Sequence, residues 1–295
     1  MNRSQFTRCF LVFPLGLALL AAPGYGQNTP PPAPDLPRNP PARPAAVNPK
    51  LPSIFVAGDS TAAVGKGETQ QGWAVPLADY FDVTKVNIVN AARGGRSSRT
   101  FVTEGLWDAM LAQVKAGDLV LIQFGINDSG AVNDASRARG SIPGVGEETQ
   151  EIDNLVTKKH EVVHSYGWYL RKMIADTQAR GARPFLLGLT IRDIWTNGKV
   201  ERAYGRYNQW AAEVAKTAGV PFLDVTGVVA DKFEAMGEEK TKAIYIQDHT
   251  HFNLAGADMH AAAVVSLLKG LKADPSRQFL SAKGAAVAAA PKQPN

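Results

Sequence analysis

The sequence predicts an α/β protein: a three-layer α/β/α sandwich around a five-stranded parallel sheet. Three observations carry this. Short apolar runs alternate with longer amphipathic ones from residue 53 to about residue 272, the rhythm of strands each followed by a covering helix. The clearest run, Leu119-Val120-Leu121-Ile122-Gln123-Phe124, lacks the polar alternation of a half-exposed strand, as befits a strand buried on both faces. Glycine-rich or polar signals then follow the runs, at the carboxyl ends where open parallel sheets hold their ligands.

Taken in order, residues 54–57 (Ile-Phe-Val-Ala) form the first strand. A helix is expected over 73–81, with Trp73, Leu77, Tyr80 and Phe81 on one face. The second strand covers 86–89, a helix covers 105–114 with Leu106, Met110 and Val114 at helical spacing, and the third strand is 119–124. Residues 126–160 read as a polar insertion with Pro143 and several glycines, too long for a simple connector. Ser165 opens a helix over 166–180 and Gly181 stops it. The fourth strand is 184–189, a helix over 204–218 ends at Gly219, and the short fifth strand is 221–224. The closing helix, 254–271, carries Met259, Ala263, Leu267 and Leu271. No internal repeat is present.

The ends of the 295-residue chain are different material. Residues 1–26 carry Arg3 and Arg8, an apolar stretch over 10–22 and then Gly24-Tyr25-Gly26. This is the layout of a secretory signal peptide cleaved after Gly26; an uncleaved N-terminal anchor is the alternative. Export to the periplasm or the extracellular space is therefore expected. Cys9, the only cysteine, lies inside this segment, so the exported chain is expected to rely on its core and not on disulfides. Residues 27–52 hold ten prolines and read as an extended linker. Residues 53–272 suit one domain, and 273–295, rich in Ala, Lys and Pro, read as a disordered tail. Net charge is +5, of which Arg3 and Arg8 supply two units, and the basic residues are scattered. That pattern gives no nucleic-acid footprint and is compatible with an anionic polymer.

Four signals carry chemistry: Gly58-Asp59-Ser60, Gly95-Arg96-Ser97, Gly125-Ile126-Asn127-Asp128 and Asp248-His249-Thr250-His251. Ser60, read as opening a helix just after strand one, is a candidate nucleophile with free backbone N–H groups beside it. Its alternative is an ordinary helix-capping serine. Asp248 and His251 stand three apart, so the carboxylate can accept the imidazole Nδ1–H and turn Nε2 towards a serine. A helix-terminal decoration, or with His249 a metal site, is the competing reading, but no second ligand cluster of recognisable spacing supports a metal. Asn127 is a neutral amide donor for an oxyanion, or else a turn residue beside Asp128. Gly95 offers a backbone N–H, or simply turn flexibility. His160 and His164 lie near the end of the insertion, where a structural role is favoured over a cleft-lining one, and His260 lies within the closing helix. A Gly-x-Ser-x-Gly elbow, a Gly-x-Gly-x-x-Gly nucleotide site and a phosphate loop are all absent.

In this order, Ser60, Gly95, Asn127 and His251 match the four defining blocks of the SGNH (GDSL-type) hydrolases, and the chain resembles that superfamily over nearly all of 53–272. Gly58-Asp59-Ser60-Thr61, Asn90-Ala91 leading to Gly95-Arg96-Ser97, and Asp248-His249-Thr250-His251 with Gly256 resemble the rhamnogalacturonan acetylesterases. The resemblance implies a flavodoxin-like fold and a triad of Ser60, Asp248 and His251. It also implies an oxyanion hole made by the Ser60 and Gly95 N–H groups and the Asn127 amide.

The implied activity is a secreted serine esterase that removes O-acetyl groups from pectic rhamnogalacturonan through an acetyl-enzyme, without cofactor or metal. Its expected partner is acetylated cell-wall polysaccharide, not nucleic acid nor, after signal cleavage, a membrane; the chain is expected to be a monomer. An acetyl xylan or general short-chain carboxylesterase is the alternative within the superfamily. A non-catalytic carbohydrate-binding protein is the alternative of another class. The insertion at 129–160 has no counterpart in the substrate-contacting motifs of the resemblance.

Overall fold

The computed structural model describes residues 47–202 and 205–291. The signal-peptide segment, and the expected linker up to residue 46, lie outside the described residues. In chain order the elements begin with β1 (Ser53–Gly58), β2 (Asn87–Asn90), α1 (Ser98–Thr103), α2 (Leu106–Leu111) and β3 (Leu119–Gln123). Next come β4 (Thr149–Asp153), β5 (His160–His164), α3 (Tyr166–Ala179), β6 (Arg183–Leu187), β7 (Trp195–Thr196) and β8 (Lys199–Val200). The chain closes with α4 (Tyr207–Ala218), β9 (Phe222–Leu223), α5 (Val225–Met236), α6 (Glu238–Lys242), α7 (Leu254–Gly270) and α8 (Ala282–Ala286).

The central sheet is five-stranded and parallel throughout, in the order β2-β1-β3-β6-β9. Numbering sheet strands alone gives 2-1-3-4-5, the flavodoxin-like order. Ile54 sits between Ile88 and Leu119 in register. Because the winding reverses on either side of β1, a crevice opens beyond the carboxyl ends of β1 and β3, and loops from both reach into it.

Alternation along the strands divides the core in two. Ile54 and Val56 of β1 pack with Leu77, Val229 and Val264 on one face of the sheet. Phe55 and Ala57 pack with Phe101, Trp107, Met173 and Val214 on the other. Two helical layers cover one sheet, as the apolar runs require. Trp107, fully buried, satisfies its indole N–H on Asp176 Oδ2 at 2.8 Å. Local signals set the helix ends. Ser165 caps α3 by accepting the Trp168 N–H at 3.1 Å, and Gly219 ends α4 in the left-handed region.

The structure corrects several expectations. Residues 73–81 are not one helix but turns followed by a 3₁₀ segment, Pro76–Tyr80. Pro76 lacks an N–H and its ring obstructs a preceding helical turn, so a helix can begin there but not run through. Four helices went unread: α1, α5 and the short α6 and α8. α1 is set by a reciprocal capping box between Ser97 and Thr100, and α5 by the Asp224 cap directly after β9. The insertion is not wholly irregular, since β4 within it pairs antiparallel with β5, which starts at its last residue, in a separate two-stranded sheet.

The expected disordered tail is also corrected. Residues 277–290 are strapped along the domain: Phe279 O accepts the Asp82 N–H at 2.7 Å and Ser281 N–H donates to Tyr80 O at 3.0 Å. Ala290 N–H donates to Ser266 O at 2.9 Å. Leu280 and Val287 pack against the first core. Enough apolar side chains remain among the alanines to seat the strap, and it satisfies backbone groups after Pro76–Tyr80 that have no sheet neighbour.

Candidate active site

Ser60 stands two residues beyond β1. No helix opens there. Residues 59–63 form one turn, closed by the Ala62 and Ala63 N–H groups on Asp59 O at 3.2 and 3.0 Å. The buried Asp59 carboxylate accepts the Thr61 N–H at 2.9 Å and the Thr61 hydroxyl at 2.8 Å. Burial raises its pKa despite those bonds. The turn is pinned from outside by Trp73 N–H on Thr61 O at 2.9 Å. Asn90 Nδ2 on Ala62 O, at 3.0 Å, is the second pin.

Asn90 does more than hold that turn. Its Oδ1 accepts the Ala92 N–H at 3.1 Å, and the Arg93 N–H donates to Gly58 O at 2.9 Å. One side chain at the end of β2 thus couples the serine turn to the glycine loop. Gly95 has φ +76°, a conformation that favours glycine. A Cβ on neighbouring Gly94 would lie 3.7 Å from Ser60 Cβ, so this loop passes directly over the serine. Neither the Ser60 nor the Gly95 N–H meets an acceptor among the described residues.

Asn127 arrives from β3 through Gly125, where φ is +144° and a Cβ would meet the Leu189 side chain at 3.0 Å. The Asn127 amide donates to Arg96 O at 2.9 Å, which orients it towards the glycine loop. Its neighbour Asp128 is fully buried and accepts from Ser98 N–H, Ser98 Oγ (2.5 Å) and Ser141 Oγ (3.0 Å). Burial outweighs these bonds and lifts its pKa to about 6.

The last signal comes from the loop before α7. Asp248 Oδ1 accepts the Thr250 and His251 N–H groups, both at 2.7 Å. Its Oδ2 lies 2.7 Å from His251 Nδ1. His251 Nε2 lies 2.8 Å from Ser60 Oγ. With the proton on Nδ1, Nε2 is left to accept the serine O–H. Partial burial works to raise the Asp248 pKa, but the hydrogen bonds from His251 and Thr250 hold it below the usual carboxylate range. The loop is anchored by Asp193 N–H on His249 O at 2.8 Å and Gln71 N–H on Phe252 O at 3.0 Å. Asn253, accepting the Gly256 N–H at 3.1 Å, caps α7.

Ser60, His251 and Asp248 therefore form one hydrogen-bonded chain, with Gly95 and Asn127 beside it. A serine–imidazole–carboxylate chain of this kind can move a proton off a hydroxyl as it attacks a carbonyl. His249 shares the loop through its backbone carbonyl, and the three remaining histidines lie elsewhere. His260 is buried and stacked on Phe252 with centroids 4.4 Å apart, and burial pushes its pKa down to about 4. His160 and His164 sit on β5, the latter stacked on Trp168. Among the described residues, no group of three or more His, Cys, Asp or Glu is placed to hold a metal ion. Sequence reasoning missed the mechanical part of Asn90 and the insertion residue Arg139, whose Nη1 donates to Gly95 O at 3.2 Å. Only the fold brings residue 139 next to residue 95.

Comparison with known proteins identifies the family. Residues 56–259 match the GDSL-like lipase/acylhydrolase family. The chain is 34% identical over 212 residues to a rhamnogalacturonan acetylesterase of Emericella nidulans, covering 72% of this chain and 82% of that protein. It is 29% identical over 231 residues to the rhamnogalacturonan acetylesterase RhgT of Bacillus subtilis, covering 72% and 87% respectively. The crystal structure of YxiM from Bacillus subtilis superposes with a TM-score of 0.58 at 25% identity, covering 73% of this chain and 55% of that one. Matched by the family model over residues 56–259 and 34% identical to a relative over most of that protein's length, the chain belongs to the GDSL-like lipase/acylhydrolase family and is a carboxylic ester hydrolase.

Proposed function

We propose that this protein is an exported carbohydrate O-acetylesterase that removes acetyl groups from rhamnogalacturonan by way of an acetyl-enzyme. The observation that carries the chemistry is the continuous chain from Ser60 Oγ to His251 Nε2 (2.8 Å) and from Nδ1 to Asp248 (2.7 Å). The substrate reading is supported by relatives bearing that name over most of their own length.

In this mechanism Ser60 Oγ attacks the acetyl carbonyl while His251 takes its proton, and Asp248 stabilises the imidazolium. Negative charge on the former carbonyl oxygen is met by the N–H groups of Ser60 and Gly95 and by the Asn127 amide. One amide hydrogen of Asn127 is held by Arg96 O, so the group is aimed before substrate arrives. His251 returns the proton to the departing sugar hydroxyl. Water then attacks the acetyl carbon as His251 takes its proton, and His251 returns that proton to Ser60 Oγ as acetate leaves.

The decisive experiment is acetate release from acetylated rhamnogalacturonan by protein recovered outside the cytoplasm, wild type beside Ser60→Ala. Release by wild type and none by the variant is expected. Wild type that cleaves an aryl acetate but not the polysaccharide would remove the substrate assignment. A Ser60→Ala variant with full activity would remove the mechanism, and full-length chain retained in the cytoplasm would remove export.

A further inference from the structure

Arg139 differs from several other partly or fully buried arginines of the domain in lacking a carboxylate partner among the described residues. Arg96 pairs with Glu104 at 2.9 Å, Arg99 with Glu161 at 2.7 Å, and Arg202 with Asp231 at 2.7 Å. Arg171 and Arg192 likewise pair with Glu147 and Glu201. Arg139 is half-buried, yet it has no ion-pair partner among the described residues and donates only to Gly95 O, at 3.2 Å. A guanidinium carries five N–H donors, so most of its fork is uncommitted. Withdrawing a cation from water is costly unless an anion compensates.

Its position is equally particular. The guanidinium lies over the glycine loop, with Nη1 3.6 Å from where a Gly95 Cβ would stand. The stem passes Gly130, whose Cβ position would be 3.7 Å from Arg139 Cγ. The N–H and C=O of Gly95 flank a single residue. The cation is therefore bonded to the carbonyl of the same residue whose N–H is assigned to the oxyanion. The insertion is fastened around it. Arg99, fully buried, donates to Val132 O and Gly140 O at 2.6 and 2.7 Å while gripping Glu161 with both arms of its fork. Arg139 thus belongs to a braced loop. Burial and the like charge of Arg137 disfavour its cation, while Asp59, Asp128 and Asp134 act at longer range to favour it.

We propose that Arg139 is a specificity-determining residue that receives the carboxylate of a uronic acid in the acetylated chain, next to the ester being cleaved. The inference rests on the polysaccharide reading above and names the acidic sugar as the recognised element. A planar fork matched to a carboxylate gives two parallel charge-assisted hydrogen bonds, which a neutral sugar cannot supply.

The test compares kcat/KM on an acetylated uronide oligosaccharide and on the same oligosaccharide with its carboxylates converted to methyl esters. Wild type, Arg139→Gln and Arg139→Lys are measured side by side. Wild type is expected to favour the free acid by about tenfold or more, chiefly through KM. Arg139→Gln should bring the ratio close to one, and Arg139→Lys should keep part of it. Added salt should lower wild-type kcat/KM on the free acid more than on the ester.

Equal handling of acid and ester by wild type overturns the proposal without needing any variant, and leaves the polysaccharide reading standing. An Arg139→Gln variant that loses both activities in equal proportion, keeping the ratio, also overturns it, because the arginine would then only be supporting the Gly95 loop. Wild type that releases acetate from neither oligosaccharide, while cleaving an aryl acetate, brings down the polysaccharide reading and the role of Arg139 with it.

Discussion

Asn127 has one amide hydrogen held by Arg96 O, and in the proposed mechanism the second serves the developing oxyanion. Because the group is aimed in advance, its contribution falls mainly on the transition state, and not on substrate binding. Asn127→Ala should therefore lower kcat by about 10²–10³ with little change in KM. Initial rates on an activated acetate with chemistry limiting measure this; an unchanged kcat would exclude the amide from the hole. The residues proposed as triad and oxyanion donors were legible because each follows a strand-ending glycine or lies in a short polar signal. Asn90 and Arg139 were not legible in their roles. Their significance comes from Ala62, Ala92 and Gly95, contacts made only once the sheet has formed.

At the scale of elements, the strands could be read because burial on both faces leaves uninterrupted apolar runs such as those in β1 and β3. Short helices were less legible. α1 has six residues and too little periodicity to register, and its evidence lies in a capping box that resembles any polar turn. The tail strap was missed for a related reason. Phe279, Leu280 and Val287 are sparse among alanines, and only the neighbouring Tyr80–Asp82 backbone shows what they are for. Removing residues 273–295 should lower stability by about 2–3 kcal/mol from lost apolar burial, or roughly 5–10 °C in Tm for a domain of this size. Thermal unfolding of the truncated and full-length proteins checks this. An unchanged Tm would mean that the strap contributes nothing.

For the whole molecule, the buried Asp128 makes stability depend on pH in an unusual direction. Its native pKa is about 6, against 3.8 for the free side chain. Between those values the native state holds a proton that the unfolded state has released. This contribution is thus fully present below about pH 4 and is lost as pH rises through about 6. Asp128→Asn removes the titration. The stability of the variant relative to wild type should increase on going from pH 4.5 to pH 7.5, by an amount on the order of 2 kcal/mol. Urea unfolding of both proteins at the two pH values decides it. A difference that does not vary with pH would show that Asp128 does not titrate in this window.

The distance along the chain between Ser60 and His251 has a consequence for how activity first arises. The two are 191 residues apart, and the base rides on a loop docked against residues 71 and 193. A chain emerging from its N-terminal end presents the serine turn early, but the partner that activates it comes almost last. Every shorter product, whether nascent or truncated before α7, carries a serine that is no better a nucleophile than any other. On the proposed mechanism, hydrolytic power therefore needs both ends of the domain in place, so that activity reports completion of the fold.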